Sequence, residues 1–163
     1  MLFLQSTKNL AAELKIKLPP VPEIGIDQKF SWHANVIMAG RKKCVLLMNN
    51  VSRYSVFIYG LKKDDFKKFP EICVVAIKEN LLADGFDLEK VQKYLSKCDS
   101  IYFCKTDNRA VLGQMIDMTN MALGVLENDS SIDEVNRFIN RVPMLKAVDC
   151  YAVDGMAKVL TSI

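Results

Sequence analysis

Between Phe30 and Gly60 the chain reads FSWHANVIMAGRKKCVLLMNNVSRYSVFIYG, three apolar runs of strand length separated by two short polar breaks. Side chains alternate across a strand, so in the first run, residues 32–39, Trp32, Ala34, Val36 and Met38 share one face, with His33, Asn35 and Ile37 on the other. The second run, residues 43–48, is apolar through its centre. Cys44, Val45, Leu46 and Leu47 in succession predict an inner strand covered on both faces. The third, residues 54–59, is β-branched and aromatic. Gly40-Arg41-Lys42 and Asn49-Asn50 supply the residue types that tolerate positive φ, as tight hairpin turns require. A three-stranded antiparallel meander is the expected centre of the fold.

The flanks read as wrapping for that meander. Leu2, Phe3 and Leu4 predict a short strand, after which Ser6 or Thr7 caps a helix carrying Leu10, Ala11, Leu14 and Leu18, stopped by Pro19-Pro20. Residues 19–29, rich in proline, form an irregular connector rather than a domain boundary. After a charged turn at 62–68, Pro70 opens a long helix with a stripe of Ile72, Cys73, Ala76, Ile77, Asn80 and Leu81. Asp84-Gly85 closes it, and Asp87 opens a shorter helix whose Leu88, Val91 and Leu95 face inward. Residues 100–105, SIYFCK, predict a fourth substantial strand in the same sheet. Asn108 or Asp107 caps a helix carrying Leu112, Met115, Met118, Ala122 and Val125. Ser131 to Glu134 has the form of a capping box before Val135, Phe138 and Ile139, and Pro143 stops that helix. Residues 145–163 show no period.

These elements make an α+β fold: a mixed, largely antiparallel sheet built on the meander, with helices packed on it, in a single domain spanning residues 1–163. A chain of 163 residues is long enough for a sizeable core. No apolar run approaches the ~20 residues of a membrane span. The first residues lack a basic leader and a small-residue cleavage site, which argues against a signal peptide and makes the cytoplasm the expected location. The five cysteines are odd in number and form no C-x-x-C pair, so they read as reduced core thiols. With a single histidine beside them, a zinc site is not expected, nor any cofactor. A net charge of +3 is too nearly balanced to indicate a phosphate-neutralising surface by itself; it permits nucleic acid without pointing to it.

Four places could carry chemistry. His33 and Asn35 project from one strand face and could hold a polar ligand. Catalysis by His33 would need an orienting carboxylate that no spacing supplies, so a hydrogen-bonded structural role is the stronger reading, with Trp32 in the core. Lys105-Thr106-Asp107-Asn108-Arg109 joins a strand to a helix start, where backbone N–H groups and cations attract anions; an ordinary helix cap explains the same residues. The segment lacks the glycines of nucleotide phosphate loops. Arg109, Gly113 and Asp117 fall near one helical face. Asn140-Arg141 sits at a helix end, where a cation offsets the helix dipole. Met115, Met118 and Met121 read as core filler before they read as a partner groove.

Several short motifs stand in a distinctive order: Trp32-His33-Ala34-Asn35, Arg41, Lys43-Cys44-Val45-Leu46, Asn49, then Gly60-Leu61-Lys62-Lys63-Asp64-Asp65-Phe66. Lys105-Thr106, Arg109-Ala110-Val111-Leu112-Gly113, Met115, Asn140-Arg141 and Pro143-Met144 complete it. In this order the chain resembles, nearly end to end, an uncharacterised bacterial family known only as a domain of unknown function. The resemblance implies small proteins of bacteria and mobile elements, some joined to a domain typical of plasmid-encoded proteins, and it implies no reaction. The family pattern has Asn-Asp where this chain has Asn49-Asn50 and again where it has Ile116-Asp117, which argues against catalysis by those side chains.

The function expected from this reading is a non-enzymatic binding or accessory protein recognising an anionic ligand or nucleic acid through His33, Asn35, Lys105, Thr106 and Arg109, with Asp117 nearby. The rival is a metal-independent hydrolase or nuclease with His33 as base, Lys105 or Arg109 stabilising charge and Asp117 orienting a partner. A third is a protein-interaction subunit using an exposed methionine-rich helix, with a contiguous apolar patch as its mark.

Overall fold

Strand β1 (Leu2–Ser6) is an inner strand of the sheet, and helix α1 (Lys8–Leu14) follows it directly. The structure, a computed structural model, describes every residue except Ile24, Leu145, Lys146 and Val148. The meander follows as β2 (Ser31–Ala39), β3 (Lys42–Asn49) and β4 (Ser55–Leu61). Then come α2 (Phe69–Ala83), α3 (Leu88–Ser96), β5 (Ile101–Lys105), α4 (Arg109–Glu127), α5 (Ile132–Ile139) and α6 (Ala152–Thr161). The five strands form one sheet in the order β4-β3-β2-β1-β5.

The fold is α+β and the sheet is mixed. Both meander pairings are antiparallel, while β1 lies parallel to β2 on one side and to β5 on the other. The fourth strand expected from SIYFCK is therefore present, but β1 separates it from the meander. The alternation read from the sequence holds: Trp32, Ala34, Val45, Leu47 and Val56 join the core beneath α1, α2, α3 and α6, and Cys44, Leu46, Met48 and Phe57 join the core beneath α4 and α5.

Several local expectations are corrected. The β3–β4 link is not a tight turn at Asn49-Asn50. It is a loop over residues 50–54 in which Arg53, at φ 63°, takes the left-handed conformation. Asn49 folds that loop: its Oδ1 accepts from the Val51 and Ser52 N–H groups at 3.1 and 3.0 Å and from the Ser52 hydroxyl at 3.0 Å. Helix α1 stops at Leu14, before the prolines, because Lys15 turns left-handed at φ 56° and the Ile16 N–H bonds Ala11 O at 3.2 Å. Pro19 serves the sheet instead, its carbonyl accepting from the Lys105 N–H at 2.9 Å on the outer side of β5. Leu88 is half exposed, and Tyr94 takes the inward position on α3. Its hydroxyl accepts from Trp32 Nε1 at 2.9 Å and donates to Lys29 O at 2.7 Å.

Helix α5 ends at Ile139, with Asn140 as its cap, before reaching Pro143. The stretch 145–163, in which no period was found, contains α6; Leu145, Lys146 and Val148 lie outside the described residues. The buried residues of α6, Ala152, Gly155, Met156, Val159 and Leu160, recur at three and four, so a helical period is present after all. A Cβ on Gly155 would stand 3.1 Å from Ser52 Cα, so that face carries a glycine where the helix lies against backbone. All five cysteines are free thiols, with Cys150 exposed and the other four buried.

Candidate functional site

Ser6 and Lys105 end β1 and β5 side by side, in register. The two chains then part. After β1, α1 packs Leu10 and Leu14 into the core on one face, and after β5, α4 packs Val111 and Met115 into the core on the other. Where neighbouring parallel strands send their connections to opposite faces, a crevice opens beyond the carboxyl ends of the strands, the usual ligand position in open sheets containing parallel strands. β2 extends past both ends to Ala39 and walls the crevice on its third side.

Two grooves meet there. One, of about 550 Å³, lies toward α4 and takes in Thr7, Lys8, Asn35, Ile37 and Thr106. The other, of about 440 Å³, lies toward α1 and takes in Ser6, Lys8, Lys17, Lys105 and Thr106. Lys8 and Thr106 line both. Lys8, Lys17 and Lys105 are exposed, and none of them forms an ion pair among the described residues. Thr7 shapes the polar wall. Its hydroxyl accepts from the Leu10 N–H as the cap of α1 and donates to Asn35 Oδ1 at 2.6 Å. That bond fixes the amide with Nδ2, which has no protein acceptor among the described residues, as the donor left for the groove.

Behind the crevice runs a chain of hydrogen bonds whose direction is set at one end. Asp107, as a carboxylate, only accepts, and Gln5 Nε2 donates to it at 2.6 Å. Gln5 Oε1 must then accept from Asn50 Nδ2, at 2.6 Å; the same nitrogen donates to Gln28 Oε1 at 2.8 Å. Asn50 Oδ1 is left to accept from His33 Nδ1 at 2.7 Å. His33 therefore carries its proton on Nδ1 and a lone pair on Nε2. It is fully buried, and among the described residues nothing donates to Nε2. Burial lowers its pKa, with the charge of Arg53 acting the same way against the bond to Asn50 and the charge of Asp107, so the neutral ring is favoured. Arg53 is tied to Gln114 Oε1 and to the Asn50 carbonyl.

The structure distributes the residues singled out from the sequence as follows. Asn35 and Thr106 stand in the groove toward α4, and Lys105 joins Thr106 in the one toward α1. His33 lies two residues before Asn35 on the same strand face, inside the protein. Arg109 is exposed on the first turn of α4. Asp117 is exposed and lines a separate groove of about 490 Å³ with Gln114, Met118, Met121, Pro143 and Met144. Asp107, not Asp117, is the carboxylate connected to His33. Sequence reading missed Lys8, Lys17, Gln5 and Asn50. A glutamine in the otherwise apolar LFLQ run was the one local signal for the buried chain.

A second polar cluster was not foreseen. The Asp84 side chain is inaccessible and receives Arg141 Nη1 at 2.6 Å, with Arg137 Nε 3.2 Å away and the Tyr54 hydroxyl donating to it. Burial, reinforced by Asp84, pushes the Tyr54 hydroxyl pKa far up, so it stays a donor. This cluster ties the end of α2 to α5 and to the β3–β4 loop.

Among the described residues no group of three or more His, Cys, Asp or Glu side chains could hold a metal ion, and no helix is long and apolar enough to cross a membrane. The fold and crevice define an α+β domain with a cationic cleft at the carboxyl ends of two parallel strands. By its match over residues 3–152, the chain belongs to the family described as domain of unknown function DUF6933. No curated protein and no solved structure matches it.

Proposed function

We infer that the chain is a binding protein for an anionic ligand, held in the crevice beyond β1 and β5. The observation that carries this reading is the set of exposed lysines that form no ion pair among the described residues, Lys8, Lys17 and Lys105, around the place where β1 and β5, adjacent and parallel, diverge to opposite faces. The groups offered to a ligand include three ammonium groups and the Asn35 amide nitrogen, which only donate, beside the Thr106 hydroxyl, which can donate. The three ammonium groups call for an anion and would repel a cation. The groove that contains Asp117 offers a carboxylate and methionines and suits an anion less well. The hydrolase reading gains little support, since the ring of His33 is enclosed and its hydrogen-bonded partner is an amide.

The test is titration of the purified protein with pyrophosphate and with a short single-stranded oligonucleotide at low and raised salt. Binding should weaken with salt, and Lys105→Ala and Lys8→Ala should each reduce it, with a smaller loss for Arg109→Ala. Salt-insensitive binding, or binding unchanged in both lysine variants, would overturn this reading.

A further inference from the structure

We propose that the ligand of this crevice is a nucleoside phosphate, lying across β1 and β5 with its phosphate toward Lys17 and Lys105 and its base in the groove beneath α4. The proposal rests on the anion-binding reading above and names the ligand class. The two grooves differ in chemistry yet are continuous through Lys8 and Thr106. On the α1 side the reachable charged groups are lysines. On the α4 side the walls are Ile37, Leu112, Met115 and Ile116, interspersed with the amides of Asn35 and Asn120.

The part of that groove walled by Ile37, Leu112, Met115 and Ile116 does not suit a bare anion, because those side chains would remove water from the charge without replacing it. It suits a flat heterocycle, whose faces are apolar and whose edge presents donors and acceptors that amide side chains pair with. Asn35 is already oriented for this: the Thr7 hydroxyl occupies its Oδ1 and its Nδ2 is turned to the groove. Each groove falls within the roughly 300–1,000 Å³ typical of small-ligand clefts. The nucleotide could be free or the end of a single strand, since both present the same phosphate and base.

Calorimetric titrations of the intact protein with inorganic phosphate, a nucleoside, purine and pyrimidine nucleoside monophosphates and a short single-stranded oligonucleotide decide the matter. A nucleoside monophosphate should bind at least about tenfold more tightly than either phosphate or the nucleoside. Ile116→Ala alters a residue that is 63% exposed and leaves the core intact; it should remove most of that margin while leaving phosphate binding unchanged. Lys105→Ala should weaken phosphate and nucleotide alike. Tighter binding of the oligonucleotide than of the mononucleotide would support the same chemistry with a strand end as its source. Phosphate binding as tightly as the nucleotide would overturn this proposal and leave the anion site standing. Failure of every probe would overturn both.

Discussion

Asn136 on α5 closes both main-chain groups of Phe57 on β4: its Oδ1 accepts from the Phe57 N–H at 2.8 Å and its Nδ2 donates to the Phe57 carbonyl at 3.1 Å. One helical turn later Asn140 does the same for Ser55, at 2.7 and 2.8 Å. A strand exposes outward N–H and C=O groups at every second residue and a helix brings side chains together at every fourth. Two asparagines on one helical face can therefore substitute for the missing neighbour strand at the sheet edge.

The amide is required on both counts. Asn136→Asp keeps an acceptor for the Phe57 N–H but sets a carboxylate oxygen against the Phe57 carbonyl, so it should destabilise the protein as much as Asn136→Ala or more, by about 1–3 kcal/mol. Urea denaturation of the three proteins measures this. An aspartate variant as stable as the parent would show that the edge bonds contribute nothing.

Asp84 makes a different kind of closure. Its inaccessible carboxylate faces Arg137, which is mostly buried, and Arg141, which is about half exposed. Asp84→Asn removes the inaccessible counter-charge of the Arg137 guanidinium and leaves it only the exposed Asp133 carboxylate, 3.8 Å from Nη1, so a loss of up to about 3 kcal/mol is expected. Arg141→Ala removes only a solvent-screened partner and should cost less than about 1 kcal/mol. Thermal melts of the two variants should fall in that order, and equal losses would refute the assigned asymmetry.

The meander was legible because its signal is local: each face of each strand is written at a period of two, and the helix starts at Thr7, Asp87, Asn108 and Ser131 are each written in a capping side chain. The place of β1 was not, because nothing in five residues says whether a strand lies at an edge or between two others. The crevice depends on that placement. Thr106 and Lys105 could be singled out as the end of a strand before a helix, yet Lys8 becomes their neighbour only through the pairing of Ser6 with Lys105 across the sheet. Asn140 was read as one half of a polar pair at a helix end. Its edge-closing role needs Asn136 and β4 together, a relationship 79 to 85 residues apart in the chain.

His33 makes stability depend on pH in a definite direction. It is the only histidine, and burial holds its folded-state pKa below the ordinary 6.5. As pH falls below 6.5 the unfolded chain takes up the proton first, so the stabilisation is complete above 6.5 and declines toward the folded-state pKa, with a slope of at most about 1.4 kcal/mol per pH unit. Denaturation midpoints from about pH 7.5 down to 5 should show this decline, and His33→Gln, though less stable throughout, should flatten it. An unchanged slope in the variant would assign the effect to the carboxylates instead.

The hydrogen-bond chain from Asp107 also determines which tautomer of His33 is present. Because the carboxylate can only accept, each amide along Gln5 and Asn50 is turned one way, and the imidazole must donate through Nδ1 to Asn50 Oδ1. Nitrogen-15 spectra of histidine-labelled protein near neutral pH should therefore show a protonated Nδ1 and an unprotonated Nε2, with no other histidine to confuse the assignment. Asp107→Asn supplies a donor at the end of the chain and releases the constraint on Gln5, so a mixture of tautomers should appear in that variant while the fold is retained. A ring protonated on Nε2 in the parent protein would mean that the amides point the other way and that Asp107 does not set the chain.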